Sequence, residues 1–373
     1  SLPNVLELTE IQTENFTFDR PFSYFVHVHH NQPLWAKNLD VIPTKILDEV
    51  RKGNCKLIFD NTLEGKSING DKFLNPFYES IDKLKLPTKN IYFITNNLVA
   101  EKTHQEYHRA DKINVISVMW NVFDIQRLIE QEDLPNEVSV DMEYKYKSVN
   151  IFKTKHFLKI NRTNRNERDI FLLFLNFEKL LDKCLISFPE LHKWPEYPEM
   201  FYKYIQKENI NDLKTKLPFD IDETDETNHG PAGVGEGFFD ADLAFNPIHY
   251  RNSFISIVMG AFAFDKDGYH LHSSTFNPMY CGHPIIQFAP HKTLEVMKQY
   301  GFKTFDKWWD ESYDNEKDDW KRLQMIMDLV LEISEYDKKD LLHMYEDMKE
   351  TLQHNISVLE NYDIKTNLYD RIF

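Results

Sequence analysis

Short apolar runs alternate with amphipathic segments in the N-terminal part of the chain. Four runs rich in β-branched and aromatic residues predict strands at residues 22–28 (FSYFVHV), 55–60 (CKLIFD), 91–95 (IYFIT) and 115–119 (VISVM). Segments between them, such as 43–52 and 73–84, carry apolar residues at helical spacing. This alternation is typical of a parallel α/β sheet.

A second series of the same kind begins near residue 156. It predicts a strand (HFLKI), a helix over about 166–182, a strand over 184–188 and a helical region over about 196–215. Farther on, SFISIVMGAFAF predicts a buried strand, and TFNPMYCGHPIIQFA predicts a short helix, a turn at Gly282 and another strand. From about residue 317 the chain is predicted to be helical. One apolar stripe there consists of Leu341, Leu342, Tyr345, Met348, Leu352, Ile356 and Leu359.

The two series predict two Rossmann-like domains, at residues 1–150 and 151–335, and a helical tail at 336–373 that packs back on them. Ligands of open α/β sheets bind outside the carboxyl ends of the strands. The residues that follow the first four predicted strands are polar. They are His29, His30, Asn31, Asn61, Glu64, Asn96, Asn97, Trp120 and Asn121.

Composition indicates a globular protein. Of 373 residues, 42% are hydrophobic and 28% charged, which excludes a disordered chain. No apolar run is long enough to span a membrane and no secretion signal is evident, so a cytoplasmic location is expected. Three cysteines without CxxC spacing favour reduced, packed thiols over a disulfide or zinc site.

The charge is strongly uneven along the chain. The net charge of −16 argues against a protein that mainly coats nucleic acid. Acidic residues concentrate at 219–226 and 306–319, whereas residues 145–168 carry eight Lys or Arg against Glu167 alone. This basic stretch contains Arg162, Arg165 and Arg168, directly before a helix that is apolar on most faces.

These arginines predict an anion site. Asn166, with Asp169 three residues later, resembles a helix-capping arrangement, so the positive end of the helix dipole faces the loop of arginines. Guanidinium groups match phosphate oxygens in pairs, which favours a diphosphate. The alternative is that the arginines pair with surface acids.

The segments FLKINRTNRNERD, LLDKCLISF, HYRNSFISIVMGAF, STFNPMYCGHPIIQFAP and LEVMKQYGFKTFDKWWDESYD resemble, in this order, a family of glycosyltransferase-like proteins of tailed bacteriophages and large viruses. The resemblance covers roughly residues 150–335, and weakly the N-terminal part through KLIFDNTLEG and NIYFITNN. It implies a GT-B-like pair of domains facing a cleft, in the host cytoplasm if the protein is viral. The N-terminal domain would lie on the acceptor side, and the C-terminal domain would bind the nucleotide sugar.

For the donor, the resemblance implies that Arg162, Arg165 and Arg168 bind the diphosphate. It also implies that the helix opened by Ser273, Ser274 and Thr275, ahead of Gly282 and His283, lies against the donor. The chain departs from the family where Thr-Glu-Lys-Thr is usual: it has His272, Ser273, Ser274 and Thr275, and Asn277 replaces a usual Lys. This departure leaves open a different donor, compensation by another residue, or loss of catalysis. Hydroxyls at a helix start can still bind phosphate.

Sugar transfer needs a stabilised leaving diphosphate and, in an inverting enzyme, a base. Arginines and a helix start can stabilise the diphosphate without metal, so no metal or other cofactor is predicted, and a UDP-sugar is the favoured donor. Candidates for the base, by position alone, are His29, His30, Asp60 and Glu64.

Other motifs carry less weight. Asp240 and Asp242 form a DxD pattern, which is interpreted first as chance in an acid-rich chain. The loop from Gly230 to Gly237 could cradle phosphate or close over a substrate. The segment DESYD, 310–314, is interpreted as a solvated turn, and Trp308, Trp309 and Trp320 as packing residues.

The leading hypothesis is therefore a metal-independent glycosyltransferase. Its acceptor is a hydroxyl of a hydroxymethylated pyrimidine in phage DNA, for which the basic stretch with Lys102, Arg109 and Lys112 could bind phosphates, or of a glycan or protein of the virion or host surface. The alternative is a non-catalytic nucleotide-sugar-binding or structural module derived from such an enzyme. A weaker third possibility is an unrelated phosphate-ester enzyme.

Overall fold

The computed structural model describes most of the chain: residues 20–28, 39, 42–62, 65, 67–122, 126, 154–160, 165–191, 197–219, 247–260, 263–264 and 266–373. The chain divides into two compact units. The first unit draws on residues up to 123, on 265–271 and on 362–373, and the second on 124–264 and 272–361. Each unit contains a four-stranded parallel sheet, so the protein is of the α/β class, consistent with Rossmann-like folding.

The first unit has its strands in sequential order. They are β1 (Phe22–His27), β2 (Cys55–Asn61), β3 (Ile91–Thr95) and β4 (Asn114–Ser117). The connecting helices are α1 (Thr44–Lys52), α2 (Asn75–Lys83) and α3 (Ala100–Glu106). A π-helical turn, Gly70–Leu74, precedes α2, and a 3₁₀ turn, Thr88–Asn90, precedes β3. All four strands lie within two residues of the predicted ranges.

The second unit has the spatial strand order β6-β5-β7-β8. Its strands are β5 (Lys155–Ile160), β6 (Cys184–Ser187), β7 (Ser253–Met259) and β8 (Ile285–Phe288). Its helices are α4 (Asn166–Phe177), α5 (Lys207–Lys216), α6 (Pro247–Arg251), α7 (Ser273–Tyr280), α8 (Thr293–Gln299), α9 (Asp319–Ser334), α10 (Lys338–Asp347) and α11 (Lys349–Glu360). Short 3₁₀ turns cover Leu181–Lys183, Glu199–Phe201 and Ser312–Asn315. The last helix, α12 (Ile364–Ile372), belongs to the first unit.

The C-terminal helices begin at aspartates. The side chains of Asp318, Asp337 and Asp363 accept hydrogen bonds from backbone N–H groups in the first turns of α9, α10 and α12. These caps satisfy donors that a helix start leaves without a partner. The apolar stripe predicted over 341–359 is interrupted at Met348, between α10 and α11. Six of its seven residues are buried, and Leu342 is half-buried.

The helix α4 is shorter than predicted. Its residues 167–176 are all buried, as its apolar composition indicates. The predicted end near residue 182 is wrong, because Lys179 adopts a left-handed backbone with φ of 60° and stops the helix at Phe177. The N–H of Leu180 then donates to the carbonyl of Leu175 at 2.8 Å, which closes the helix end.

One face of the first sheet is covered by the connecting helices. Parallel strands in sequential order, joined by right-handed crossovers, place their helices on the same face. Residues of α1, α2 and α3, including Ile46, Phe77 and Ala100, pack there in one core cluster. The opposite face carries Ile58, Tyr92, Ile94 and Ile116, and α12 packs on it through Ile364, Leu368 and Ile372.

The three cysteines are free thiols, with Cys55 and Cys184 buried and Cys281 half-buried, as predicted. Within the described part of the chain, no helix combines the length and apolar character needed to cross a membrane.

Leu368→Ala should destabilise the first unit by about 2–5 kcal/mol, because it removes a fully buried side chain from the only helix that the described residues place on this sheet face. The neighbouring Asn367 is exposed, so Asn367→Ala should change the free energy of unfolding by less than about 0.5 kcal/mol. Urea unfolding of both variants checks this, and equal effects would contradict the role of α12 as the cover of the sheet.

Candidate functional site

The second sheet has a point where the chain reverses its direction of winding. The crossovers from β5 to β6 and from β7 to β8 proceed toward opposite edges of the sheet, so β5 and β7 are neighbours at the reversal. Ligands of open parallel sheets bind outside the carboxyl ends of the strands at such a point. Helix α4 follows β5 and helix α7 follows β7 along the chain. Both helices therefore begin on the side of the sheet where the carboxyl ends of these strands lie.

Arg168 links helix α4 to strand β7 at this point. It lies in the first turn of α4, is 9% exposed, and donates from Nη2 to the carbonyl of Met259, the last residue of β7, at 2.9 Å. Arg165 is the N-cap of α4 and is half-buried. The structure thus brings two of the three predicted arginines to the carboxyl edge, while Arg162 lies outside the described residues.

The capping arrangement predicted for Asn166 and Asp169 is wrong. The N-cap is Arg165, whose extended backbone places its carbonyl as acceptor for the N–H groups of Arg168 and Asp169, and its side chain makes no capping hydrogen bond. Asp169 is fully buried in the first turn. The helix therefore starts one residue earlier than the prediction requires.

Buried charges surround the arginines. Lys159 at the end of β5 is 1% exposed and Glu167 is 3% exposed. Burial lowers the pKa of Lys159 well below its usual value, and the charge of Arg168 acts in the same direction. Burial also raises the pKa of Glu167 and lowers the pKa of Arg168 to about 10.

Within the described residues, acids offset most of the positive charge of this cluster. The bases Lys159, Arg165 and Arg168 face the acids Glu167 and Asp169, which leaves one net positive charge if all five are ionised. The carboxylate of Glu167 also accepts a hydrogen bond from its own backbone N–H, so it competes with an anion for the helix start. Most of the predicted basic stretch, 145–153 and 161–164, lies outside the described residues.

Three residues with hydroxyl side chains, Ser273, Ser274 and Thr275, open helix α7, and one of these three side chains is exposed. Thr275 is buried and donates to Oε1 of Gln287 at 3.2 Å, and the hydroxyl of buried Ser273 contacts Nδ1 of His272 at 2.9 Å. His272 is the N-cap and accepts from the N–H of Ser274. Ser274 is exposed and is the hydroxyl that a ligand at this helix start would meet first.

The structure does not bring Gly282 and His283 to this edge. His283 is 1% exposed and bonds the hydroxyl of Ser256 at 2.8 Å and the carbonyl of Ser253 at 2.8 Å, at the amino end of β7. Gly282 adopts a positive φ of 63° in the predicted turn, and its carbonyl accepts from the Tyr345 hydroxyl at 2.8 Å. Both residues hold the turn between α7 and β8.

The first unit has a histidine–carboxylate pair at its own carboxyl edge. His27 and Asp60 are register partners at the ends of β1 and β2, and Nδ1 of His27 lies 3.1 Å from Oδ2 of Asp60. Thr62 donates to Oδ1 of Asp60 from its N–H at 3.1 Å and from its hydroxyl at 2.8 Å. The His27 side chain is 50% exposed and that of Asp60 is 5% exposed.

This geometry separates the roles of the two residues. Burial acts to raise the pKa of Asp60, but the hydrogen bonds from His27 and Thr62 outweigh it and the pKa is lowered. A carboxylate with a lowered pKa is a poor proton acceptor, whereas a histidine oriented through Nδ1 presents Nε2 for proton transfer. Asp60 is thus suited to orient His27.

Buried amides extend the polar edge beside this pair. Asn61 is 3% exposed and Asn96 is fully buried. Oδ1 of Asn61 and Nδ2 of Asn96 have no hydrogen-bond partner in the described part of the chain. Unsatisfied buried amide atoms are uncommon in folded proteins.

His27 was not among the residues predicted from the sequence. The predicted candidates His29, His30 and Glu64 lie outside the described residues, and Asp60 was chosen by position alone. The signal was available in the alternation of side chains, because the last residues of two neighbouring parallel strands share a face when they are in register. Asp240, Asp242 and the loop from Gly230 to Gly237 also lie outside the described residues.

The interpretation of residues 310–314 as a solvated turn is wrong in part. Tyr313 is 2% exposed and Asp314 is 7% exposed. The carboxylate of Asp314 is directed inward and accepts a hydrogen bond from the N–H of Leu294 at the start of α8. Trp309 is buried, in agreement with a packing role.

The fold and these two edges define an α/β protein with parallel sheets and polar carboxyl edges. Comparison with protein-family models and with curated proteins finds no match for the chain.

Asp60→Asn should lower the melting temperature more at pH 7 than at pH 3. Because the pKa of Asp60 is lowered by folding, its contribution to stability is present above the unfolded value of about 3.9 and is lost as the pH falls through the folded value. Thermal unfolding at both pH values measures this. The exposed Asp370 is the control, and Asp370→Asn should leave the melting temperature nearly unchanged.

Proposed function

We propose that the protein is a metal-independent glycosyltransferase that moves a sugar from a nucleotide-sugar donor, with a UDP-sugar favoured, to an acceptor hydroxyl. The observation that carries the proposal is the bond from Arg168 to Met259 across the reversal of the second sheet, with Arg165 at the adjoining helix start. The segments that resemble phage and viral glycosyltransferases include this same stretch.

In this proposal Arg165 contacts the donor diphosphate. Arg168 helps to position the diphosphate at the edge of the sheet. Arg168 is buried and held by a carbonyl, so its guanidinium is a rigid part of the edge. Arg165 is half-buried and directly precedes the first turn of α4, where charge-assisted hydrogen bonds to phosphate oxygens are strongest. Exposed Ser274 at the start of α7 adds a hydroxyl donor.

His27 is the proposed base. With Nδ1 directed at Asp60, its Nε2 would accept the proton of the acceptor hydroxyl, and the charge of Asp60 would stabilise the imidazolium that forms. The GT-B-like arrangement is part of the same proposal: the second unit binds the donor, and the first unit activates the acceptor.

The second candidate function is a non-catalytic nucleotide-sugar-binding or structural module. Two observations favour it. Within the described residues, Glu167 and Asp169 nearly neutralise the bases of the anion site, and Asn277, which stands where lysine is usual in the family that the chain resembles, is buried.

If the protein is an enzyme, the proposed acceptor is a glycan or a modified base in DNA.

Arg165→Ala should weaken binding of UDP by about tenfold or more, because it removes charge-assisted hydrogen bonds to phosphate. Thermal-shift screening against UDP, GDP, ADP, CMP and their sugars would identify the nucleotide, and isothermal titration calorimetry would measure its affinity. Lys214→Ala, at an exposed position on α5, should leave the affinity unchanged. No shift of the wild type with any nucleotide would contradict the donor site.

His27→Gln should lower the rate of donor hydrolysis, with water as acceptor, by about 10²-fold or more while leaving nucleotide affinity within about twofold. Release of UDP from UDP-glucose, or from the sugar of whichever nucleotide binds, measures this rate. Exposed His108 provides the control, since His108→Gln should hydrolyse the donor as the wild type does. A wild type that binds the nucleotide sugar without hydrolysing it would instead support the non-catalytic module.

A further inference from the structure

Lys159 is a buried lysine near the carboxyl end of β5. It is 1% exposed, and its Nζ lies 6.0 Å from the centroid of the Phe171 ring on α4. The side chain therefore points toward the helix that carries Arg165 and Arg168. The proposed function gives this lysine no role, although it lies beside the proposed donor site.

Two residues of α4 bring charge to Lys159. Arg168 is a second buried cation, and Glu167 is a buried acid. The strands that flank β5 add no charge at this point in the described part of the chain, because β6 places Ile186 opposite Lys159 and β7 contains no titratable residue. The charge state of Lys159 is thus coupled to the helix that faces the proposed ligand.

Arg165 and Asp169 belong to the same cluster but act on its other members. The charge of Arg165 acts on Glu167 and Arg168, and the charge of Asp169 acts on Tyr197. Burial raises the pKa of Tyr197 to about 12, so this phenol is neutral near pH 8.

A buried ammonium group beside a buried guanidinium group is unfavourable. Desolvation disfavours the charged form of each group, and the repulsion between like charges adds to this cost. Arg168 keeps its proton at pH 8, since its pKa is lowered only to about 10. An amine can lose its proton, and burial together with the charge of Arg168 lowers the pKa of Lys159 well below its usual value.

A diphosphate at the start of α4 reverses this balance. Its negative charges lie beside Arg165 and Arg168 and offset the repulsion that Arg168 exerts on Lys159. Solvent and salt screen buried charges only weakly, so the effect reaches the lysine without direct contact. Linkage is reciprocal, and protonation of Lys159 therefore strengthens binding of the anion.

We propose that Lys159 takes up a proton from solvent when a diphosphate binds at the start of α4, and thereby increases the affinity for the diphosphate. The proton completes the ammonium group of Lys159, and no bond of the ligand changes. Lys159 is in this sense a positioning residue that acts through Arg168. The inference rests on the proposed function and adds a pH dependence to its donor site, with tighter binding as the pH falls.

Calorimetric titration with UDP at pH 8, in buffers that differ in ionisation enthalpy, counts the protons taken up. At this pH the terminal phosphate, with a pKa near about 6, carries almost no proton of its own. The wild type should take up about 0.3 proton or more per UDP, and its affinity should rise about twofold or more from pH 8.5 to pH 7.5. GDP or ADP replaces UDP if the thermal-shift screen selects another base.

Lys159→Met keeps a side chain of similar length but removes the amine. It should bind UDP without proton uptake, and its affinity should not change from pH 8.5 to pH 7.5. A merely structural role of the lysine would lower the affinity and leave the uptake as it is. Lys155→Met, at the half-buried other end of β5, is the matched control and should take up protons as the wild type does.

A spectroscopic measurement on the wild type guards against misfolding of the Lys159 variant. With ¹³C-labelled lysine, one Cε signal should titrate well below the usual lysine range and move to the ammonium position when UDP is added at pH 8. Binding without proton uptake, or uptake that persists in Lys159→Met, overturns this inference and leaves the donor site in place. Absence of binding to UDP, GDP and ADP overturns the donor site as well.

Discussion

A parallel sheet must be covered on both faces, and in the described part of the chain the first unit covers its second face with residues from the far end of the sequence. Its sequential strand order puts α1, α2 and α3 on one face. The apolar residues of the other face, such as Ile58 and Ile94, would otherwise contact water. The packing of α12 on this face is therefore the interaction on which the first sheet, and the polar edge that it supports, depend.

Polar contacts fix the position of α12 in addition to its apolar side chains. The Lys56 ammonium donates to the carbonyl of Ile372, and Arg371 pairs with Glu101 at 2.9 Å. Just before the helix, the Tyr362 hydroxyl accepts from the N–H of Met119 at 3.0 Å. Apolar burial supplies most of the free energy of such a contact, whereas the directional hydrogen bonds select one register of the helix on the sheet.

The carboxyl edges of the two sheets use charge differently. In the second unit, Lys159, Glu167 and Asp169 are buried around Arg168, which costs desolvation free energy that a hydrophobic cluster would not. Buried groups with shifted pKa values are concentrated at functional sites, which is consistent with the proposed donor site at this edge. In the first unit, one hydrogen-bonded carboxylate holds a half-exposed histidine, which is an arrangement for moving a proton.

Local patterns were sufficient to predict the strands but not the contacts between distant segments. Runs such as CKLIFD and IYFIT were recognisable because central parallel strands are apolar on both faces, and β2 and β3 lie there. The pairing of His27 with Asp60 depends on strand register, which a single run does not encode. The burial of Arg168 depends on where β7 ends, and the position of α12 depends on a sheet formed far earlier in the chain. Acidic residues near 310 were predicted to be solvated because composition does not reveal that Asp314 meets the start of α8.

The discontinuous make-up of the first unit has a consequence for synthesis on the ribosome. Its four strands emerge early, yet residues 265–271 follow only after the first part of the second unit has been translated, and residues 362–373 only after all of it. Asn97 and Leu98 must wait for their partners Asp267 and Tyr269, and the sheet face must wait for α12. Domains usually fold in the order in which they are made. Here the unit that begins first is finished last, so its uncovered apolar face is available to chaperones throughout translation, and nascent chains that stop before residue 362 expose it permanently.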